Sequence, residues 1–323
     1  LQRSSIPTSS GFQSILVNKG EIKNSGVELA LDFNLISEED FSFSVGGNIA
    51  WNKTEITNLE SQALEDFYVD GVGEPRRFYF GDNISRGNLF KYPANVFVEG
   101  EETSMFYGLE TDGIYQSDDV LPEVFGSAAV PGDVKIVDQN GDGIIDLKDR
   151  TFIGNPNPDY VYGFNLNFNY KRLNARVLFN GVYGNDIANG NLLQLENAEG
   201  LTYLNIAPDA YYTAWRPDFE TNVYPRIGYT TNGQPAMTDR IIEDGSYLRL
   251  SNLTISYDFD VDKIRSISNL KMFVAGQNLF TLTDYSGYDP EISSFLYNGL
   301  INGVDWNGRA NARTFILGLN IGF

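Results

Sequence analysis

Apolar and polar residues alternate with a period of two in well-separated blocks of the chain, the signature of strands with one apolar face. Between Gly26 and Ile36, Val27, Leu29, Leu31, Phe33 and Leu35 fall on one side, and Glu28, Ala30, Asp32 and Asn34 on the other. From Phe41 to Trp51 the apolar set is Phe41, Phe43, Val45, Ile49 and Trp51. The clearest block runs from Tyr160 to Tyr170, where Tyr160, Tyr162, Phe164, Leu166, Phe168 and Tyr170 oppose Gly163, Asn165, Asn167 and Asn169. Further strands are predicted over 173–184, 246–258 and 270–281. In the last, 313–323, Phe315, Leu317, Leu319, Ile321 and Phe323 alternate with Thr314, Ile316, Gly318, Asn320 and Gly322. The pattern predicts an all-β, antiparallel fold.

Alternation alone also suits a soluble β-sandwich. Two features favour a transmembrane β-barrel. The polar face is rich in Asn, Gly, Asp and Thr, which suits a wet or plugged lumen, and aromatics bracket the apolar stripes as interfacial girdles do. Eleven residues at about 3.3 Å rise and 45° tilt span roughly 25 Å, the height of an outer-membrane apolar band. No run approaches the ~18 apolar residues of a transmembrane helix.

The connections sharpen this picture. Short turns, Ser37-Glu38-Glu39-Asp40 and Lys171-Arg172, and a modest segment over 260–268 join strands in pairs. Long excursions over 53–159, 185–245 and 282–312 separate the pairs. Bacterial barrels show this asymmetry, with short periplasmic turns and long extracellular loops. Seven strands, the first descending from outside, leave the count odd where single-chain bacterial barrels are even. The chain is therefore expected to be part of a larger barrel. A closed eight-stranded barrel requires one more strand, for which 104–116 is the candidate.

Composition narrows the chemistry. There are no His and no Cys among 323 residues, which excludes His-based catalytic triads, thiolate nucleophiles, imidazole or thiolate zinc sites and disulfides. A net charge of −20 opposes nucleic-acid binding, which depends on neutralising phosphates. The first residues, Leu1 to Ser5, carry no basic-then-apolar leader. The chain holds 43 acidic residues, enough for chance carboxylate pairs, but most lie in Gly-, Asn- and Ser-rich turns where solvation accounts for them. An enzyme is not expected.

Several stretches, in order, resemble the C-terminal part of the SusC/RagA family of TonB-dependent outer-membrane transporters. They are Gly20-Glu21-Ile22-Lys23-Asn24-Ser25-Gly26-Val27-Glu28-Leu29, Pro131-Gly132-Asp133-Val134-Lys135 leading into Asp138–Gly143, and Ile153–Asp159. Ser246-Tyr247-Leu248-Arg249-Leu250, Gly276-Gln277-Asn278-Leu279-Phe280, Asp284–Glu291 and the terminal alternating strand follow. The resemblance implies about 7–9 strands of a roughly 22-stranded barrel. It also implies a plug and first strands elsewhere, import of glycan or peptide fragments, a SusD-like surface lipoprotein as partner, and energy from TonB–ExbB–ExbD. The alternative is a structural or docking barrel in a larger surface assembly that transports nothing itself.

Three groups of residues are candidate sites. Asp138, Asn140, Asp142, Ile144, Asp146 and Asp149 take positions 1, 3, 5, 7, 9 and 12 of a calcium loop, with Gly143 at the sharp turn. A structural Ca²⁺ pinning the 53–159 excursion is expected, against a bare Asn/Asp/Gly turn. Phe323 with its stripe resembles the C-terminal assembly signal of outer-membrane barrels. Tyr203, Tyr211, Tyr212, Trp215, Tyr224 and Tyr229 in one excursion, and Tyr285, Tyr288, Tyr297 and Trp306 in another, offer aromatic faces. Of these Tyr211, Tyr212, Trp215 and Trp306 are the candidates for stacking on substrate, against loop packing.

Overall fold

The computed structural model describes all residues except 1, 6, 13, 18–19, 60–75, 83–92, 197–204, 229–236, 263–265, 292–293 and 296–297. Seven strands form one sheet: β1 (Glu21–Ser37), β2 (Phe41–Asn58), β3 (Tyr160–Tyr170), β4 (Leu173–Tyr183), β5 (Tyr247–Asp258), β6 (Asn269–Thr283) and β7 (Thr314–Gly322). Each pairs antiparallel with its neighbours in chain order, so the sheet is a simple meander with β1 and β7 at its edges. Among the described residues the two edges do not pair with each other, and the sheet is an open wall.

Register carries the alternation from strand to strand. Directly opposed residues of antiparallel strands share a face. One such row reads Phe33, Val45, Leu166 and Val177, continuing to Leu253 and Gly276 and ending at Phe315. The row beside it on the other face reads Asn34, Ser44, Asn167, Arg176, Thr254 and Ala275. The apolar face is largely uncovered, with Val27, Phe33, Leu317 and Phe315 among its exposed residues. A Cβ at Gly181 would collide with the ring of Tyr162, and one at Gly318 with the ring of Phe273, so glycine lets each aromatic lie flat across its neighbour strand.

Turn chemistry explains the tight connections. Lys171 adopts φ +51° in a two-residue hairpin between the paired Tyr170 and Leu173, the twist such turns require. The Gly276–Phe280 motif is an irregularity in the ladder. Register shifts between Leu250 and Asn252, Asn278 takes φ +52°, and the Leu279 side chain folds over Gly276.

The long excursions are folded rather than loose. One core cluster joins Ala94 and Phe106 from the first, Ala188, Met237 and Ile241 from the second, and Ile301 and Val304 from the third. A second, within 109–145, packs Leu109, Tyr115, Val124, Ala129, Ile136 and Ile145. A small sheet ties the second and third together, Asp186–Asn189 pairing with Ile242–Asp244 and, in parallel, with Val304–Asp305, and a bridge between Leu109 and Thr238 ties the first to the second. The 104–116 segment does contain strands, Met105–Leu109 and Thr111–Ile114, but they belong to other small sheets and not to the wall. That removes 104–116 as the extra wall strand of a closed eight-stranded barrel, and the wall has seven strands among the described residues. The chain thus has an apolar core at one end and an uncovered wall below it.

Candidate functional site

The polar face of the wall is a hydrogen-bonded mat of amides. The Asn167 side-chain N–H donates to Asn165 Oδ1 at 2.9 Å and to Ser44 at 3.4 Å, while its oxygen accepts from Arg176 Nε at 2.9 Å. Asn169 donates to Ser42 at 2.9 Å, and Asn174 to Asp258 at 2.9 Å. A Cβ at Gly46 would meet the side chains of Asp32 and Asn165, and one at Gly163 the Asn48 oxygen at 3.0 Å. Glycine on this face lets the long polar side chains lie flat. Val161, Leu178 and Phe273 interrupt the mat, as their register places them on the same side.

Aromatic residues mark both ends of the wall. Near the excursions Trp51, Tyr160 and Tyr183 stand in one cross-strand row, with Tyr160 stacked on Tyr183 at 4.9 Å between centroids. At the turns Phe41 packs edge-on against Phe168, and Tyr257 against Phe259. Ion pairs link consecutive turns, Lys171–Asp40 at 3.7 Å and Arg172–Asp260 at 2.9 Å, and Lys271–Asp258 at 3.3 Å joins the two strands at the base of the last turn.

Two of the recognised motifs meet where the folded body joins the wall. Arg249 of β5, 3% exposed, donates to Asp289 and to Glu291 at 2.5 Å each, and to Thr281 at 3.0 Å through Nε. Its guanidinium also lies 5.1 Å from the Tyr247 ring centroid. The Tyr285 hydroxyl donates to buried Asp305 at 2.7 Å, and burial above all pushes that phenol far above its usual range. Read as strings, Ser246–Leu250 and Asp284–Glu291 are separate. In space they form one latch.

The 138–149 loop has the turn its spacing predicts, with Gly141 and Gly143 at φ +72° and +80°. Asp138 accepts from the N–H groups of Gly141 at 2.7 Å and Gly143 at 2.8 Å, Asn140 from Asp142, and Asp142 from Ile144. The Gly143 N–H foremost holds the Asp138 carboxyl below the usual carboxylate range. Asp146 caps the short helix Leu147–Asp149, and Asp149, fully buried, accepts from Gln139 at 3.1 Å and Asp146 at 2.7 Å. Burial pushes the Asp149 carboxyl up, against the pull of those N–H groups. Among the described residues no three acidic side chains converge on one point.

The four candidate aromatics divide. Tyr211 and Tyr212, on the helix Pro208–Thr213, are 56% and 70% exposed and pack edge to face at 5.3 Å. Trp215 is buried, its indole N–H bonded to Gln116 at 3.0 Å and its ring filling the space beside Gly132. Trp306 packs against the shared core over Gly190. Tyr203, Tyr229 and Tyr297 lie outside the described residues. Phe323 follows the last wall strand and is 92% exposed.

No protein-family model matches the chain. Curated proteins do. It is 31% identical over 329 residues to TonB-dependent receptor P3 of Formosa agariphila, which covers 98% of this chain and 30% of that protein. It is 28% identical over 328 residues to TonB-dependent receptor SusC of Bacteroides thetaiotaomicron, covering 98% and 28%. The chain thus spans about three-tenths of the length of the curated relatives it matches. Among solved structures, the RagAB peptide importer in its open-open state superposes with a TM-score of 0.74 at 24% identity, over 99% of this chain and 31% of that one. A structure of the RagAB peptide transporter gives 0.71 at 22%. The wall is therefore a stretch of antiparallel β-barrel, and over nearly its whole length the chain is a relative of the SusC-type TonB-dependent receptors.

Proposed function

We propose that this chain is the C-terminal barrel part, residues 1–323, of an outer-membrane importer of glycan or peptide fragments. The observation that carries the reading is the wall itself. An apolar stripe continuous across seven strands and framed by aromatic rows suits lipid, and the opposed amide mat suits a wet lumen. The names of the relatives support the same reading, since they are TonB-dependent receptors and a peptide importer. On it, a plug and further barrel strands lie in the rest of the receptor, TonB–ExbB–ExbD supplies energy, and a SusD-like lipoprotein lids the folded body. That body sits at the extracellular end, and exposed Tyr211 and Tyr212 are its ring platform for solute, whereas Trp215 and Trp306 are taken up by packing inside the body. Phe323 ends the stripe read by the assembly machinery. Deleting the receptor should abolish uptake of a labelled oligosaccharide or oligopeptide that intact cells import. Unchanged uptake with loss of a surface assembly would point instead to a docking barrel.

The 138–149 loop enters this reading as a structural Ca²⁺ site. Support comes from the ligand spacing, the Gly143 turn and the buried Asp149 that anchors it. Ion binding would draw Asp138 and Asp142 inward from their present N–H partners. Titration calorimetry should detect one site in the parent and none in the Asp138→Ala/Asp142→Ala double variant. Equal heats from both would dismiss the ion.

A further inference from the structure

The wall carries one cation whose surroundings the import reading leaves unused. Arg176 sits in β4, paired across the sheet with Asn167 on one side and Thr254 on the other. Its Nε is held by the Asn167 oxygen at 2.9 Å, and Asn167 is itself held by Asn165 and Ser44. Among the described residues neither terminal nitrogen meets an acceptor, and the side chain is exposed on the polar face. The other wall arginine, Arg249, is buried in an ion-paired latch. Of the carboxylates on this face, Asp258 lies four residues along β5 from Thr254 and is already engaged by Asn174 and Lys271. The carboxylate of the adjacent row, Asp32, stands three strands away, about 14 Å at ordinary strand spacing. In a chain of net charge −20, a guanidinium with its base pinned and its fork turned outward among neutral amides is arranged for an anion. The planar fork matches a carboxylate in two parallel N–H···O bonds.

We infer that Arg176 is a carboxylate-binding point in the lumen. Resting on the import reading, the inference adds a charge preference to it. The carboxylate has two sources: an acidic solute in passage, or an acidic side chain from the part of the receptor that lies outside this stretch.

The test uses the complete receptor in detergent, with Arg176→Gln, Arg176→Lys and Asn167→Ala variants. For the solute source the probe is trigalacturonate, with maltotriose as its neutral counterpart. Calorimetry should show a preference for trigalacturonate of about 10–100-fold, the scale of a charge-assisted pair. Arg176→Gln should erase it and Arg176→Lys retain part. For the internal source, Arg176→Gln should melt several degrees lower with no solute, and 1 M NaCl should close that gap, the screening length there being about 3 Å. Either pattern supports the inference. Asn167→Ala, which keeps the charge and frees its base, should lose only part of the effect, and flat results for Arg176→Gln in both arms overturn the inference. The uptake experiment on cells lacking the receptor judges the import reading independently.

Discussion

At the scale of single residues, the Arg249 latch is the most exposed to test. A buried guanidinium left without its carboxylate costs far more than the pair contributes, about 3–5 kcal/mol. Asp289 is 4% exposed, whereas the Glu291 side chain is 53% exposed. Asp289→Ala should therefore release the 282–312 segment to limited proteolysis and lower the melting temperature sharply. Glu291→Ala should change stability by less than about 1 kcal/mol. Equal effects would mean the latch is not what holds the segment. Neither role was legible in the sequence, because the partners lie 40 residues apart and only the fold brings them together.

Asp186 offers a pH test at the same scale. It stands directly opposite Asp244, near Asp159, and accepts from Asn155 N–H at 2.7 Å. Burial first, then repulsion from Asp244 and Asp159, push its carboxyl up against that N–H. A raised folded value means the folded state holds the proton more tightly than the unfolded one. Its stabilising contribution is therefore full below about pH 4, the unfolded value, and is lost as pH rises through the raised one. Asp186→Asn should melt above the parent at pH 7.5, by on the order of a few degrees. That gap should shrink toward zero as pH falls to 4. A gap that persists at pH 4 would assign the gain to packing.

At the scale of elements, the strands were legible and the excursions were not. Period-two alternation located β3 to the residue, because Tyr160–Tyr170 faces one medium on each side along its whole length. It missed the first five residues of β1 and the last seven of β2, where the hairpin runs on past the band with mixed faces. The excursions read as loops because their strands are short and owe their existence to distant partners. Leu109 N–H, for example, donates to Met237 O at 2.7 Å. The same logic predicts how the wall tolerates charge. Leu317 lies on the apolar stripe opposite Val274, and Asn320 on the polar face opposite Lys271. In the full receptor Leu317→Lys should cost about 2–4 kcal/mol near the bilayer midplane and reduce the heat-modifiable, assembled fraction. Asn320→Lys should assemble at nearly the parental level. Equal assembly of both would remove lipid from the apolar face.

At the scale of the whole molecule, the wall and the folded body are held by different forces. Among the described residues the wall has two unpaired edges, so the 323-residue chain refolded alone in detergent should show β content without heat-modifiable migration. The body is held by apolar burial, and its central cluster draws on all three excursions, which no one of them can complete alone. Ile301 and Val304 are 4% and 0% exposed within it, and Val304–Asp305 also pairs with Ala188–Asn189. Removing two such side chains forfeits about 2–5 kcal/mol each and strips a strand from that small sheet. Replacing residues 286–310 by a short flexible linker in the full receptor should therefore unfold parts of the other excursions. Hydrogen exchange should show lost protection at 187–189 and 106–109, whereas 160–170 in the middle of the wall keeps its protection through cross-strand bonds on both sides. If the amides at 106–109 stay protected, the three excursions are independent loops, and the body above the wall is not one cooperative unit.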